Sequence, residues 1–298
     1  MTESRRCGLV AIIGRPNVGK STLMNHLVGE KVSITSRKPQ TTRHRIHGIL
    51  TRDHYQIVFA DTPGIHRAEA RNINRYMNKA ALSALDGVDV VCFMVDSDKW
   101  SEGDDYVLER LPRGGVPVVL IINKVDELPN KDSLLPLIER LSGRFDFAEV
   151  VPVSALKGSN LDALEKVLAG LLPESPFWFE EDQLTDRTLR FMVAEIVREK
   201  VVRQLGDEIP HQAAVEIDRW EAGPGLVQIT AKILVESKGQ KGIVIGKGGE
   251  RIKKIGIQAR QDIEALLDTQ VMLELWVAVR SGWSDDDRAL RSLGYADD

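Results

Sequence analysis

Two short stretches combine glycine with lysine in a way that suits phosphate binding, and they lie near opposite ends of the chain. The first is GRPNVGKS, from Gly14 to Ser21, and the second is GKGG, from Gly246 to Gly249. Glycine allows backbone N–H groups to approach phosphate oxygens closely, and lysine adds positive charge. Only the first stretch ends in Lys-Ser, which offers a hydroxyl to a divalent metal ion. The two loops are therefore predicted to hold different kinds of phosphate.

The first stretch matches the pattern G-x-x-x-x-G-K-[ST] between a predicted strand and a predicted helix, which is the context that this motif requires. Its backbone would wrap around a polyphosphate at a helix N-terminus, where the helix dipole favours anions. Lys20 is predicted to reach the outer phosphates, and Ser21 to bind Mg²⁺. The nucleotide contacts predicted in this loop are Gly14, Arg15, Pro16, Asn17, Val18, Gly19, Lys20, Ser21 and Thr22.

Three later motifs each follow a predicted strand. ADTPG places Asp61 where it can hold Mg²⁺ through water, and Gly64 where its backbone N–H can meet a γ-phosphate. In NKVD, the Asp126 carboxylate can accept hydrogen bonds from N1–H and N2–H₂ of guanine, a pairing that adenine does not offer. In SAL, the Ala155 N–H can meet guanine O6. The contacts predicted in these motifs are Asp61, Thr62, Pro63, Gly64, Asn123, Lys124, Asp126, Ser154, Ala155 and Leu156.

Taken together, these motifs resemble the set shared by Ras-like GTPases of the translation-factor class. The resemblance implies a Mg²⁺-GTP site that hydrolyses GTP to GDP and phosphate, with a switch threonine as a further Mg²⁺ ligand. KPQTTRHRI contains two candidates, Thr41 and Thr42, and Thr42 is predicted to be that ligand. Lys20, Thr42 and Gly64 are the residues expected to act in hydrolysis, and Ser21, Thr42 and Asp61, the last through water, are expected to hold the metal.

GKGG lacks the Lys-Ser ending, and VIGKGGERIKKIG resembles the signature of KH modules, whose Gly-x-x-Gly loop clamps four nucleotides of a single strand. From Lys232 to Arg260 the chain has eight basic and two acidic residues, a local surplus that indicates phosphate contact. Ile245 and Ile252 are expected to form an apolar floor for bases. The predicted RNA contacts are Ile245, Gly246, Lys247, Gly248, Gly249, Arg251 and Lys253.

The elements that must position these residues follow from the hydrophobic pattern. In the first 170 residues, short apolar runs typical of buried strands alternate with amphipathic stretches typical of helices. The strands are predicted at 8–13, 56–60, 89–95, 116–122 and 149–153, and the helices at 20–29, 72–84, 105–111, 133–141 and 161–171. This alternation predicts an α/β P-loop domain with a doubly wound, mostly parallel sheet.

LLPESPFWFEEDQLTD, residues 171–186, interrupts this alternation with two prolines and an acidic cluster. After it, the pattern predicts a helix capped by Thr185 or Asp186 and ending near Leu205, with Leu189, Val193, Ile196 and Val197 on one face. Two strands, GKGG, a helix to about Leu267 and a last strand follow, which predicts a smaller α+β domain. The predicted boundaries are 1–172 for the GTP-binding domain, 173–185 for a linker and 186–298 for the KH-type domain.

Composition sets further limits. The chain has 298 residues, a net charge of -4 and only two cysteines. Cys92 lies in VVCFMV and is expected to be a buried, reduced thiol. The apolar runs are too short to span a bilayer. We therefore expect a cytoplasmic protein, without excluding peripheral membrane contact, and a monomer.

A GTPase domain followed by a KH domain resembles the Era family over nearly the whole chain, and ELWVAVRSGWSDDDRALRSLGY resembles that family's ending. The resemblance implies a GTP-controlled factor in maturation of the small (30S) ribosomal subunit. Such a factor binds single-stranded ribosomal RNA near its 3′ end and associates partly with the inner membrane. Two alternatives stay open. One is a GTP-regulated membrane or cell-cycle scaffold whose KH fold binds protein, and the other is a P-loop kinase or ATPase.

The residue after the DTPG motif predicts slow hydrolysis. In Ras this position holds a glutamine that orients the attacking water, and here it is Ile65, which cannot do so. We expect an intrinsic turnover below roughly 0.1 s⁻¹. Steady-state phosphate release by the purified protein measures it, and a rate well above this limit would contradict the prediction. His66, the next residue, is expected to be an exposed switch residue rather than a catalytic one.

Overall fold

The computed structural model describes residues 4–36, 38, 41–65, 72–205 and 213–295. The chain divides into two compact units, each drawn from several ranges. The first consists of Met1–Ser33, Thr42–Glu69 and Arg75–Asp186, and the second of Ile34–Thr41, Ala70–Asn74 and Arg187–Asp298. The described residues 34–36, 38 and 41, just before the predicted switch threonine, therefore belong to the second unit, whereas Thr42 belongs to the first.

The first unit is built on one sheet with the strand order β2-β3-β1-β4-β5-β6. All neighbouring strands are parallel except β2 and β3. The strands are β1 Arg6–Ile13, β2 Ile46–Thr51, β3 Tyr55–Asp61, β4 Val90–Asp96, β5 Val118–Asn123 and β6 Glu149–Pro152. The predicted mostly parallel sheet is confirmed, and the five predicted strands agree with it to within two residues at each end.

Helices cover both faces of this sheet. They are α1 Lys20–Val28, α2 Asn72–Ser83, α3 Glu102–Leu108, α4 Leu134–Ser142 and α5 Leu161–Leu171. Side chains of α2, α3 and α4 share one apolar cluster with β1, β4 and β5, while α1 packs on β2 and β3 and α5 on β3 and β6. The start of α3 lies three residues before the predicted one, because Ser101 and Asp104 form a capping box there.

The edge strand β2 was not predicted from the sequence. It pairs antiparallel with β3, and its other side meets the stretch predicted as a linker. The Ile49 N–H donates to the Leu184 carbonyl at 2.9 Å, and Gly48 forms an isolated bridge with Thr185. An edge strand exposes unpaired backbone groups, and this stretch satisfies some of them.

A buried glutamine also fixes the predicted linker to the first unit. The Gln56 side chain is fully buried on β3, and its Oε1 accepts from the backbone N–H groups of Trp178 at 2.9 Å and Phe179 at 3.0 Å. Its Nε2 donates to the Phe179 carbonyl at 3.0 Å. Residues 173–185 therefore pack as part of the first unit.

The second unit contains a smaller sheet with the order β7-β8-β9, in which β7 and β8 are antiparallel and β8 and β9 parallel. Its elements are α6 Leu189–Gln204, β7 Ala214–Gly223, β8 Leu226–Val235, α7 Lys238–Ile245, α8 Glu250–Leu267, β9 Gln270–Val279 and α9 Asp287–Ser292. The predicted α+β domain is confirmed. Among the described residues, no helix has the length and apolar character needed to cross a membrane.

The first helix of this unit begins later than predicted. The side chain of Thr188 accepts from the Phe191 N–H at 3.3 Å, so Thr188 is the cap, and the prediction of Thr185 or Asp186 was wrong. Leu189 is exposed, whereas the other residues predicted on its face are buried in the core. Alternate residues of β8 also face this core, and Lys232 points to the opposite face, where it pairs with Asp218.

Both cysteines are buried and free, as predicted for Cys92. Burial raises the pKa of the Cys92 thiol well above its usual value, and it is the main cause that raises the pKa of Cys7. We expect neither thiol to react with Ellman's reagent in the native protein at mildly alkaline pH, and both to react in guanidinium chloride. Stoichiometric labelling of the native protein would contradict this prediction.

Candidate functional site

Two glycines of the first loop are required by close approach of the backbone to its neighbours. A Cβ on Gly14 would lie 2.4 Å from the Met94 carbonyl oxygen, and one on Gly19 would lie 2.4 Å from Asn123 Nδ2. Gly19 also has a φ of 106°, which favours glycine. These contacts place the loop between β1 and α1 directly against the ends of β4 and β5.

The predicted metal ligands come together although they are far apart in the chain. Ser21 Oγ donates to Asp61 Oδ2 at 2.6 Å, Thr42 Oγ1 donates to the same oxygen at 3.3 Å, and the two hydroxyls are 2.8 Å apart. Asp61 is fully buried, and its Oδ1 has no hydrogen-bond partner among the described residues. A buried carboxylate oxygen without a donor, beside two hydroxyls, suits a hard cation such as Mg²⁺.

Ser33 belongs to this cluster and was missed in the sequence. Its Oγ donates to Asp61 Oδ2 at 2.8 Å. Asn25 of α1 holds it in place: its Oδ1 accepts from the Ser33 N–H at 2.9 Å, and its Nδ2 donates to the Ser33 carbonyl at 2.7 Å. A serine in a stretch without clear strand or helix periodicity gave no signal of this contact.

Lys20 and Asp61 are buried charges of opposite sign. Lys20 Nζ donates to the carbonyls of Gly14 at 3.1 Å and Arg15 at 3.0 Å. Burial lowers the pKa of Lys20 to about 8, partly opposed by the nearby Asp61, and burial raises the pKa of Asp61. A bound polyphosphate would stabilise the charged lysine, and a bound cation would stabilise the carboxylate.

The Asn123 side chain connects three loops. Its Nδ2 donates to the Val18 carbonyl at 2.7 Å, and its Oδ1 accepts from the Ala155 N–H at 2.9 Å. The N–H predicted to meet guanine O6 thus bonds to Asn123 here, and the guanine contact stays a prediction. In the same loop, Ser154 Oγ accepts from the Lys157 N–H at 3.1 Å, and Leu156 is exposed.

Asp126 is exposed in a one-turn 3₁₀ helix, Val125–Glu127, just after Lys124, which has a left-handed φ of 64°. Its carboxylate has no hydrogen bond or ion pair within the part of the chain that the structure describes. It can therefore accept from guanine N1–H and N2–H₂ without first losing a partner.

Some predicted nucleotide contacts have side chains that face elsewhere. The Arg15 guanidinium pairs with Asp104, and Thr62 Oγ1 donates to the Ile12 carbonyl at 2.9 Å in the sheet interior. Contact of these two residues with a nucleotide would rely on their backbone. Gly64 lies against the first loop, where a Cβ would lie 2.6 Å from Pro16 Cα.

The structure places the residue that replaces the Ras glutamine in the interior. Ile65 is 1 % exposed and belongs to the apolar cluster of the first unit. Its side chain therefore lies among apolar side chains, and it has no polar atom with which to orient water. His66 lies outside the described residues.

The second loop also depends on glycine. Gly246, Gly248 and Gly249 have φ values of 76°, 60° and 80°, and a Cβ on Gly246 would lie 2.7 Å from Arg251 Cβ. Lys247 is exposed at the tip. Arg251 donates to the Ile243 carbonyl and ties the end of α7 to the start of α8, and its contact with RNA stays a prediction.

Beside this loop, α8 and β9 enclose an apolar groove of about 370 Å³. It is lined by Ile252, Lys253, Gly256, Ile257, Arg260, Leu273 and Leu275. Ile252 and Lys253 were predicted as a base floor and an RNA contact; Ile245 and Ile252 both pack partly buried on the core, and Ile245 does not line the groove. Ile257 and Arg260 also line the groove and were not among the predicted RNA contacts, although Arg260 was counted in the basic patch. The spacing of 252, 256 and 260 along one helix face is the signal that could have identified Arg260.

Comparison with known proteins matches both units to families. Residues 9–124 match the family model described as 50S ribosome-binding GTPase, and residues 208–284 match that of the KH domain. The chain is 56% identical over 292 residues to GTPase Era of Pseudomonas aeruginosa (strain LESB58), covering 98% of this chain and 96% of that protein.

Two solved structures are similar over the whole chain. One is Era in complex with MgGDPNP and nucleotides 1506–1542 of 16S ribosomal RNA, with a TM-score of 0.95 and 41% identity. The other is an Aquifex aeolicus Era variant bound to GDP·AlF4⁻, with a TM-score of 0.94 and 41% identity. In both cases the match covers 98% of this chain and 99% of the other.

The exposed carboxylate of Asp126 predicts the base preference. Asp126→Asn replaces an acceptor with a side chain that also donates, so we expect GDP affinity to fall by on the order of 100-fold while xanthosine diphosphate binds better. Titration calorimetry with both nucleotides measures the change. Glu127→Gln, in the same turn, is the control and should bind GDP like the parent. An Asp126→Asn protein that keeps its GDP affinity would overturn this role.

Proposed function

Since the chain belongs to the Era family of GTPases, we propose that it is a GTP-controlled switch that binds single-stranded ribosomal RNA and acts in assembly of the small ribosomal subunit. The observation that carries the nucleotide half is the convergence of Ser21, Thr42 and Asp61 at the end of the Lys20 loop. The exposed carboxylate of Asp126 supplies the guanine selectivity. The identity of the relatives as GTPases supports GTP hydrolysis to GDP and phosphate as the reaction.

Hydrolysis at this site relies on positioning. Lys20 would leave the carbonyls of Gly14 and Arg15 and bind the outer phosphates, and the Gly64 N–H would hold the γ-phosphate. Ser21 and Thr42 would bind Mg²⁺ directly and Asp61 through water, and the bound ion neutralises charge that develops on the phosphates. The complex of a relative with MgGDPNP supports this ligand pair. With Ile65 buried, this position offers no side chain to align the attacking water, which fits a slow, timed switch.

The second unit has the features expected of a single-strand clamp. The glycine loop allows a sugar–phosphate chain to approach, and the groove beside it combines an apolar floor with two cations, Lys253 and Arg260. Bases would stack over Ile257 and Leu275 while the cations meet phosphates. The solved complex of a relative with nucleotides of 16S ribosomal RNA supports ribosomal RNA as the ligand. Since 16S RNA belongs to the small subunit, it also supports a role in assembly of that subunit.

Several further attributes are part of the proposal. The functional domains are 1–172 and 186–298, connected in sequence by 173–185, which packs with the first. The protein is a cytoplasmic monomer with partial contact with the inner membrane. GTP binding would change the switch stretch and thereby RNA binding. This is supported by the assignment of residues 34–36, 38 and 41 to the second unit, while Thr42, the next residue, belongs to the first.

The groove cations predict the salt dependence of RNA binding. For an oligonucleotide of nucleotides 1506–1542 of 16S RNA, log affinity should fall with log salt by about 0.7 per phosphate contacted. Lys253→Ala combined with Arg260→Ala should weaken binding and reduce the slope by roughly 1.4, since two contacts are removed. Fluorescence anisotropy across a salt series measures both quantities.

Lys232→Ala is the matched control, because Lys232 lies on the opposite face of the sheet and pairs with Asp218. It should leave the slope unchanged. A flat salt response of the parent protein would reject the RNA clamp and favour a scaffold whose KH fold binds protein. An equal loss of RNA affinity in the control and in the double variant would show that the groove is not the RNA-binding site.

A further inference from the structure

The Arg15 side chain is held between two acidic residues. Its Nε donates to Asp104 Oδ1 at 3.2 Å and Oδ2 at 3.1 Å, and Asp104 is fully buried at the start of α3. Its Nη2 lies 3.7 Å from Asp96 Oδ2 and donates to the Lys99 carbonyl at 3.2 Å. A cation of the phosphate loop is thus engaged by carboxylates more than 80 residues away in sequence.

The Asp96 carboxylate also holds a cation of the base-recognition loop. Lys124 Nζ donates to Asp96 Oδ2 at 2.6 Å, so one oxygen contacts Arg15 from the phosphate loop and Lys124 from NKVD. The Asp96 side chain is 10% exposed, and that of Lys124 is 29% exposed. Ion pairs that are this sheltered from water are screened less by salt than pairs at the surface.

Lys124 occupies a strained position on which Asp126 depends. Its φ of 64° is uncommon for a residue with a Cβ, and it directs the chain into the turn that carries Asp126. Besides the backbone hydrogen bond from the Glu127 N–H to the Lys124 carbonyl at 2.9 Å, two side-chain contacts hold it there. One is the Asp96 ion pair, and the other is the hydrogen bond from Ser97 Oγ to the Lys124 carbonyl at 2.9 Å. Both come from the end of β4.

We propose that Asp96 is a positioning residue for guanine recognition. Its ion pair with Lys124 orients the turn that carries the Asp126 carboxylate. Its contact with Arg15 holds the phosphate loop at a set distance from that carboxylate. Asp104 pairs with Arg15 and therefore holds the phosphate loop only. This inference rests on the proposed guanine-nucleotide site and assigns a role to two acidic residues outside the nucleotide-binding motifs.

The test compares GDP with inosine diphosphate, which lacks the N2 amine that Asp126 would bind. Dissociation rates of both nucleotides are measured by stopped-flow displacement from the full-length protein. Asp96→Asn should speed GDP release by about tenfold, as expected for the loss of one coupled contact, and should lower the GDP-to-IDP discrimination several-fold. Asp104→Asn should speed release of both nucleotides by the same factor, because it loosens the phosphate loop alone.

Two further variants and a control complete the set. Asp96→Glu keeps the charge and should recover part of the discrimination. Ser97→Ala removes the second side-chain contact to Lys124 without touching the ion pairs, and it should also lower the GDP-to-IDP discrimination. It therefore tests the proposal even if Asp96→Asn folds poorly. Asp98→Asn, an exposed neighbour, is the control and should behave like the parent. Thermal melting checks that each variant is folded.

Unchanged GDP-to-IDP discrimination in both Asp96→Asn and Ser97→Ala would overturn the proposal. So would a loss of discrimination in Asp104→Asn equal to that in Asp96→Asn. A purely structural role for Asp96 would weaken GDP and IDP alike and leave their ratio intact. Failure of the nucleotide site itself is recognised separately, since the parent protein would then not prefer GDP to IDP.

Discussion

One buried side-chain amide determines how the nucleotide site is assembled. Asn123 donates to the Val18 carbonyl and accepts from the Ala155 N–H, so the loops after β1, β5 and β6 are joined through a single planar group. An amide offers a donor and an acceptor in fixed geometry, which neither a carboxylate nor an aliphatic side chain of this size does. The carboxyl ends of parallel strands meet at one edge of the sheet, and this amide sets the spacing of the loops there.

Charge is the second constraint on the site. Lys20 and Asp61 are buried, and burial opposes the charged form of each. The protein compensates with carbonyls around the lysine and with three hydroxyl groups, from Ser21, Ser33 and Thr42, around one oxygen of the aspartate. Within the described ranges, the other oxygen has no donor. Such an arrangement gains most from a ligand that brings an anion and a cation together, which describes a metal–nucleoside triphosphate.

The second unit uses a similar glycine loop for a different kind of phosphate ligand. Its glycine loop provides close backbone approach but no serine for a metal, and the adjoining groove is apolar with basic residues at positions 253 and 260. A single nucleic-acid strand offers spaced phosphates and flat bases, and both features can be met by such a groove. Because the helices of this unit share a core with one face of the sheet, the groove forms where α8 and β9 meet.

The sequence alone determined the features that depend on local periodicity and backbone conformation. Apolar runs identified five strands, and the motifs that follow four of them named Lys20, Ser21, Asp61, Asp126 and Ala155, because parallel strands bring their ends together whatever lies between them. The KH-type domain was recognisable from its glycine loop and from the alternation along its strands.

Tertiary structure decided what those side chains contact. The direction of Arg15 depends on Asp96 and Asp104, and the role of Ser33 depends on Asp61, all distant in sequence. The edge strand β2 is short and gains its place from β3 and from residues 184–185, so its own six residues carried too weak a pattern. Local sequence patterns indicate which backbone conformation a segment adopts. The direction of a polar side chain is set by partners that only folding brings near.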